Sequence, residues 1–301
     1  MTQRYLVTHL GKHADVVIAT AGDYDFKNGR VRAYRRIKGG HFEGIGMIRP
    51  RADLWIAYSD GYYLDHRKLG FKKRRHFLEA QIHLHSAAIA SGDVGRMINS
   101  PSVEKRTLKS WFSQLDCAKF NVIPTYTCKS LAEVSDLRKE QSAIVAKLNW
   151  GGAGQGCVRL SSDDEVKRFA SKLEESDDID LSDYCFQPYL PGDEKRFWFV
   201  GGKVVAARRT RGRKTPWSDS SDDYEVEEYS EEMKGFKTDL QAAQHLCRHS
   251  GLEVGSIDFL GKRINEINAC GTIFVEYKYW QRIVDARPHL VRYFIDVIRA
   301  L

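Results

Sequence analysis

Three oxygen-bearing side chains near the C-terminus could together hold a divalent cation. Asp258 and Glu266 flank the dipeptide Gly261-Lys262, which predicts a tight hairpin that brings the two carboxylates close together. Asn268 lies two residues beyond Glu266, so strand alternation places both side chains on one face. Carboxylate and amide oxygens suit Mg²⁺, which binds a few protein ligands together with phosphate oxygens. An ordinary polar hairpin face remains an equal alternative at this point.

A lysine followed by a glycine-rich turn could hold phosphate. Lys147 ends an apolar run and is followed by four glycines, at Gly151, Gly152, Gly154 and Gly156. Backbone amides in such a turn can approach phosphate oxygens closely. Neither a P-loop nor a dinucleotide-binding fingerprint is present, because no helix begins at the loop. A flexible hairpin is the alternative interpretation.

A stiff extended segment, residues 186–191, could present backbone groups to an adenine ring. Glu194 and Arg196 follow it. Glu194 could accept hydrogen bonds from ribose hydroxyls, and Arg196 could stabilise a phosphoryl group in transfer. Lys105 lies at the start of a predicted helix before the middle of the chain. The alternatives are a proline-bounded connection between domains and a solvent-exposed lysine.

Composition indicates a cytoplasmic protein with two or three lobes. The chain has 301 residues, of which 42% are hydrophobic. No apolar run reaches the roughly 18 residues needed to span a membrane, so no membrane partner is expected. Six cysteines occur without a CxxC pair, which favours free and mostly buried thiols.

Periodicity places these residues on specific elements. Helices are predicted over residues 77–91, 103–115, 163–174, 238–249 and 288–301. A Gly201-Gly202 turn predicts a hairpin of strands 196–200 and 203–207, and Gly261-Lys262 predicts a second hairpin of strands 255–260 and 263–267.

Basic residues are concentrated in the first 100 residues, which hold 17 Lys and Arg against 9 Asp and Glu. Such a lobe attracts carboxylates, phosphates or nucleic acid. Aromatic residues are interleaved with the charges, so a nucleic-acid-binding module is one alternative. We favour a core position for these aromatics, and nucleic acid is therefore not the expected partner.

The order of these motifs resembles that of ATP-grasp ligases, in particular the glutathione-synthetase and ribosomal-protein glutamate-ligase branch. The stretches that carry the resemblance are residues 99–105, 145–156, 186–196 with 204–207, and 258–268. The resemblance implies an α+β ATP-grasp fold, in which two α+β lobes grip ATP after a small α/β N-terminal domain. The implied domains are 1–100, 101–185 with the Gly-rich lid, and 186–301 with the Mg²⁺ site.

The resemblance also implies a role for each motif. Lys105 and Lys147 would hold ATP phosphates under a mobile lid, Gly151 to Gly156. Adenine would lie at Gln187, Tyr189 and Leu190, and ribose at Glu194, where the family usually has Asp. Asp258, Glu266 and Asn268 would hold two Mg²⁺ ions, and Arg196 would stabilise an acyl phosphate.

One family arginine has no clear counterpart in this sequence. A gap-free alignment places Thr210 at its position, and Arg209 and Arg211 are the candidates beside it. An acidic tract, residues 219–232, replaces a loop that family members use to grip substrate. This tract could be a solvated loop, or it could fold back on the preceding arginines.

The implied activity is ATP-dependent ligation of a carboxylate to an amine through an acyl phosphate, with an amino acid or peptide as substrate. An ATP-grasp kinase that phosphorylates a hydroxyl of an anionic small molecule is the alternative within enzymes. Relatives often form dimers or tetramers, so a homo-oligomer is an open alternative.

Overall fold

The computed structural model describes residues 10, 12, 14, 16–19, 27–28, 30–36, 42–49, 52–56, 71–92, 94–151, 154, 156–177, 179–212, 225–269 and 287–301. The strands are β1 Val17–Ala19, β2 Val31–Arg36, β3 Phe42–Ile48, β4 Ala52–Ile56, β5 Val94–Ile98, β6 Ile144–Leu148, β7 Val158–Leu160, β8 Tyr184–Pro188, β9 Glu194–Val200, β10 Lys203–Arg211, β11 Glu225–Glu228, β12 Val254–Leu260 and β13 Arg263–Ala269. The helices are α1 Phe71–Ala90, α2 Pro101–Arg106, α3 Cys117–Phe120, α4 Leu131–Gln141, α5 Asp163–Glu174, α6 Phe236–Ser250 and α7 Arg287–Ala300, with 3₁₀ turns at Lys109–Gln114 and Leu181–Asp183.

The central lobe is a three-stranded sheet of order β7-β6-β8 that packs against α4 and α5. Ser162 caps α5, because its hydroxyl accepts the Glu165 amide at 3.2 Å. All five residues of β6 are buried. Strand β8 pairs with β6, so this sheet includes residues as far as Pro188.

The C-terminal lobe is a five-stranded antiparallel sheet of order β11-β10-β9-β12-β13. One face packs against α6 through a core that includes Phe197, Ile257, Phe259 and Leu246. The two predicted hairpins are therefore confirmed, and the opposite face of the sheet is left to carry polar residues.

Backbone hydrogen bonds join the two lobes. The amide of Ile123 donates to the Ile264 carbonyl at 2.9 Å, and the Ile264 amide donates to the Asn121 carbonyl at 2.9 Å. The segment that enters the central lobe is thus fixed to β13 of the C-terminal lobe.

The N-terminal region contributes a three-stranded sheet, β1-β2-β3, and a parallel pair, β4-β5. Helix α7 closes a further core that includes Ile98, Val254, Leu290 and Phe294. Among the described helices, none combines the length and hydrophobicity needed to cross a membrane.

The predicted helix 103–115 is wrong. Helix α2 ends at Arg106, and Leu108 is extended (φ −63°, ψ 131°) before a separate 3₁₀ turn begins at Lys109. Contacts with a distant residue favour this break, because the Ser110 amide donates to Asn149 Oδ1 at 2.7 Å. Tertiary contacts have overridden local helix propensity.

Part of the acidic tract does fold back on the arginines. Strand β11, Glu225–Glu228, pairs antiparallel with the end of β10. Glu227 forms ion pairs with Arg211 at 2.6 Å and with Arg209 at 3.9 Å. Residues 219–224 lie outside the described part of the chain.

Candidate active site

A row of charged residues crosses the face of the C-terminal sheet that looks away from α6. Arg208 on β10 lies opposite Arg196 on β9. Arg196 lies opposite Asp258 on β12, and Asp258 lies opposite Glu266 on β13. Residues directly opposite each other in a sheet project to the same side. Four neighbouring strands therefore each contribute one charge to a single patch.

A β-bulge in β13 puts the two carboxylates on the same face. After the tight turn, Phe259 pairs with Ile264, but the next pair is Asp258 with Glu266, so Asn265 is the extra residue. In a regular ladder Asp258 would lie opposite Asn265, and Glu266 would point toward α6. The predicted convergence of Asp258 and Glu266 is correct, and it depends on this bulge.

Asp258, Glu266 and Asn268 are in direct contact. The Asn268 amide nitrogen donates to Asp258 Oδ2 at 3.2 Å and to Glu266 Oε1 at 3.3 Å. Arg196 makes a two-pronged ion pair with Asp258, in which Nε donates to Oδ1 at 2.6 Å. The donor set of two carboxylates and an amide suits Mg²⁺. In the described ranges, this site included, no group of three or more His, Cys, Asp or Glu is arranged to hold a metal, so the third oxygen donor here would be the Asn268 amide.

The two carboxylates are in different electrostatic environments. Burial raises the pKa of Asp258, and the Glu266 charge adds to this shift while Arg196 opposes it. Burial also disfavours ionised Glu266, but Lys109, Lys147 and Arg196 outweigh it and lower the pKa of Glu266. Charges from the neighbouring lobe therefore keep one of the two carboxylates ionised.

Lys147 extends from β6 in the central lobe to the C-terminal sheet. Its ammonium donates to Gln187 Oε1 at 2.5 Å and to Asn265 Oδ1 at 2.7 Å. Burial lowers the pKa of Lys147, and the nearby Glu266 charge partly opposes the shift. Lys147 thus places a cation at the boundary of the two lobes, next to the carboxylates.

Lys109, rather than the predicted Lys105, joins this cluster. The ammonium of Lys109 donates to the Gly151 carbonyl and lies 3.7 Å from Glu266 Oε2. Lys105 is exposed on α2. The physical reason is the break after α2, which turns the chain toward Asn149 and carries Lys109 into the cleft.

The glycine-rich turn begins at Gly151, whose carbonyl accepts the hydrogen bond from Lys109. Gly154 and Gly156 have φ values of +74° and +70°, a region that side chains rarely adopt. A Cβ on Gly156 would also lie 2.2 Å from Leu148 Cδ1. Both glycines are therefore required by the backbone path, and Gly152 lies outside the described residues.

The predicted adenine segment runs along the end of β8. Gln187 is buried, and its side chain links Lys147 to Thr125, to which it donates at 2.9 Å. The Tyr189 amide donates to the Ala143 carbonyl at 2.9 Å, and the following Leu190 is half-buried. Arg159 from β7 stacks over the Tyr189 ring at 4.1 Å. The segment is thus tied to the central sheet.

A second bulge determines which arginines of β10 face the cleft. Val204 pairs with Phe199, but the next pair is Ala206 with Trp198, so Val205 is the extra residue. A regular ladder would have placed Arg209 and Arg211 on the Arg196 side.

The structure places Arg208 and Thr210 on the Arg196 side instead. Arg209 pairs with Asp193, and both Arg209 and Arg211 contact Glu227 of β11. The expectation that Arg209 and Arg211 face the site is therefore corrected.

Glu194, at the start of β9, lies on the cleft side with Arg196. It accepts from Arg208 at 3.1 Å, and its charge acts on both Arg196 and Asp258. Burial disfavours charged Arg196, but the Asp258 and Glu194 carboxylates raise its pKa, so it stays protonated.

Solved ATP-grasp ligases share this arrangement of lobes. PsnB, solved with the precursor peptide PsnA2 and AMPPNP, aligns over 99% of this chain and 94% of its own, with a TM-score of 0.56 and 15% identity. The macrocyclase MdnC from Microcystis aeruginosa MRC, solved with its precursor peptide MdnA, aligns over 95% of this chain and 87% of its own, with a TM-score of 0.54 and 13% identity. The chain has the ATP-grasp fold.

One curated protein matches part of the chain by sequence. Glutathione synthetase from Parasynechococcus marenigrum (strain WH8102) is 25% identical over 179 residues, which cover 58% of this chain and 56% of that protein. The chain thus matches just over half the length of this relative. No protein-family model matches the chain.

Three residues of this ATP-grasp cleft were missed from the sequence: Lys109, Asn265 and Arg208. Lys109 lay inside a predicted helix, and Asn265 was taken as an ordinary position of a regular strand. Arg208 directly follows the apolar run Val204 to Ala207, but the neighbouring arginines obscured which of them faces the cleft.

Proposed function

We propose that this chain binds ATP with Mg²⁺ and joins a carboxylate to an amine, releasing ADP and phosphate. The observation that carries the proposal is the convergence of Lys109, Lys147, Arg196, Asp258 and Glu266 between two lobes of an ATP-grasp fold. The relatives support the class of chemistry, since they include a glutathione synthetase, and a ligase and a macrocyclase that were each solved with a precursor peptide.

Asp258, Glu266 and Asn268 would hold Mg²⁺, and PsnB has been solved with Mg and ADP. The cation would supply neutralisation of phosphate charge. Lys109 and Lys147 would contact the phosphates, while Gly151 to Gly156 would exclude water by covering them. Gln187, Tyr189 and Leu190 would line the adenine site, and Glu194 the ribose. Two Mg²⁺ ions at these residues would match what the resemblance to ATP-grasp ligases implies.

The carboxylate substrate is a poor electrophile until its oxygen attacks the γ-phosphorus. That step forms an acyl phosphate and releases ADP, and it depends on positioning and on neutralised charge. Arg196 lies beside Asp258, where it would stabilise the phosphoryl group in transfer. The amine then attacks the carbonyl carbon, phosphate leaves, and the amine loses a proton.

An isotope experiment tests both steps. The protein is incubated with ATP, Mg²⁺ and pairs of amino acids or short peptides, one of them carrying ¹⁸O in its carboxylate. We expect equal amounts of ADP and phosphate, dependent on both substrates, with one ¹⁸O transferred to phosphate. Hydroxylamine should trap the acyl phosphate as a hydroxamate when the amine is omitted.

Two results would contradict this function. ADP with a phosphorylated product and no free phosphate would identify the kinase alternative. Salt-dependent binding of RNA or DNA without nucleotide hydrolysis would favour the nucleic-acid-binding alternative.

A further inference from the structure

Arg208 is a buried arginine in the candidate site, and no motif predicted it. Its side chain is 7% exposed, and its guanidinium donates to Glu194 Oε1 at 3.1 Å and to Thr210 Oγ1 at 2.8 Å. Both partners lie on the cleft side of the sheet, and Arg208 itself lies opposite Arg196. Arg208 therefore connects two cleft residues to each other.

Glu194 needs such a partner to keep a fixed position. It is the first residue of β9, directly after the segment that joins the two lobes, and its side chain is 15% exposed. A glutamate side chain has several rotamers, and fixing them costs conformational entropy. An arginine supplies planar, directional donors, so an ion pair with Arg208 restricts Glu194 to one orientation.

The ion pair is compatible with a further ligand. A carboxylate offers about four acceptor positions, so the bond from Arg208 leaves the group able to accept from hydroxyls. The Glu194 charge also acts on Arg196 and Asp258, which places it next to the proposed phosphate and metal residues. A hydroxyl-bearing group attached to phosphates bound there would lie within the same region of the cleft.

We infer that Arg208 is a positioning residue for nucleotide recognition, which holds the Glu194 carboxylate so that it accepts hydrogen bonds from ribose hydroxyls. The inference rests on the proposed function, because it requires that ATP bind in this cleft. Removing Arg208 would leave the Glu194 carboxylate in the cleft without the ion pair that orients it. The loss should therefore appear as weaker discrimination between sugars rather than as a general loss of phosphate binding.

The test compares ATP with 2′,3′-dideoxy-ATP, each titrated calorimetrically with Mg²⁺ present. We expect the intact protein to prefer ATP by about tenfold or more, since hydrogen bonds to charged groups are among the stronger ones. Arg208→Gln and Glu194→Gln should each bring the two affinities within about threefold, and the double variant should show no further loss of preference. Arg208→Lys should retain an intermediate preference.

Two further variants separate positioning from folding. Thr210→Val removes one acceptor of Arg208 at similar volume, and it should lower the preference in part. Arg138→Gln breaks another arginine–carboxylate pair, with Asp163, between α4 and α5. This matched control should keep the full preference, because neither partner lies at the cleft.

The outcomes distinguish this inference from the function on which it rests. Unchanged ATP preference in Arg208→Gln, or an equal loss for both nucleotides, would overturn the positioning role while leaving ATP binding intact. Equal affinity of the intact protein for both nucleotides would also overturn the positioning role while leaving ATP binding intact. Failure of the intact protein to bind either nucleotide would overturn both proposals.

Discussion

The two faces of the five-stranded sheet have opposite chemistry, although alternate residues of the same strands form both. On the α6 side, Phe197, Ile257 and Phe259 are fully buried. A buried charged pair on that side is Lys195 with Asp239, which also accepts from the Tyr229 hydroxyl at 2.8 Å.

The other face carries Arg196, Arg208, Asp258 and Glu266. Its charges are balanced partly by Lys109 and Lys147 from outside the sheet. One face stabilises the lobe by itself, whereas the other is complete only when two lobes meet. Substitutions on the two faces should therefore affect different properties.

The largest effect is expected at Glu266. Glu266→Gln keeps the size of the side chain and removes its charge, so Mg²⁺-dependent ATP turnover should fall by about 1,000-fold or more. The free energy of unfolding should change by less than about 1 kcal/mol, because this residue does not pack in the α6 core. ADP release and urea unfolding measure the two quantities. Glu140→Gln, at an exposed position, is the control, and normal turnover in Glu266→Gln would refute the metal assignment.

On the opposite face, Phe197→Ala should lower the free energy of unfolding by about 3–5 kcal/mol, because it leaves a cavity among buried aromatic rings. Nucleotide affinity of the folded fraction, measured at low temperature, should stay the same. Loss of affinity without loss of stability would show that the two faces are not separate in function.

Lys195 and Arg196 are neighbours in sequence that point to opposite faces, so they sharpen the comparison. Lys195→Met leaves buried Asp239 without its cation and should cost about 3 kcal/mol of stability. Arg196→Lys should keep the fold but lower turnover by about 100-fold, because a lysine cannot make the two-pronged pair. Thermal unfolding and steady-state kinetics of both variants measure these effects. If both variants lost mainly stability, or both lost mainly turnover, the separation of the two faces would be contradicted.

The smallest expected effect is a difference in ADP affinity between variants of two lysines, Lys109 and Lys105. Lys109→Met should weaken ADP binding by about tenfold, because it removes a cation that lies beside Glu266. Lys105→Met should change the affinity by less than about twofold, since that side chain is exposed on α2. Calorimetric titration of ADP into both variants measures the difference. The reverse order would restore Lys105 as the phosphate residue.

Much of the fold followed from local patterns. Helices α5, α6 and α7 were predicted to within about two residues, because each has apolar residues at helical spacing. The turns Gly201-Gly202 and Gly261-Lys262 correctly located both hairpins. Helix 103–115 failed, because its break is stabilised by Asn149, a residue about 40 positions away that no local pattern includes.

The sequence by itself determined that β9 pairs with β10 and that β12 pairs with β13, since a two-residue turn leaves little choice of partner. It also determined the motifs that bring Lys147, Asp258 and Glu266 into one cleft. Only the tertiary structure decided which side each residue faces after a bulge. One extra residue in β13 turned Glu266 toward Asp258, and one in β10 turned Arg208, rather than Arg209 and Arg211, toward Arg196. Side chains alternate along a strand, so a single inserted residue reverses every position after it, and packing on both faces of the sheet selects where it lies.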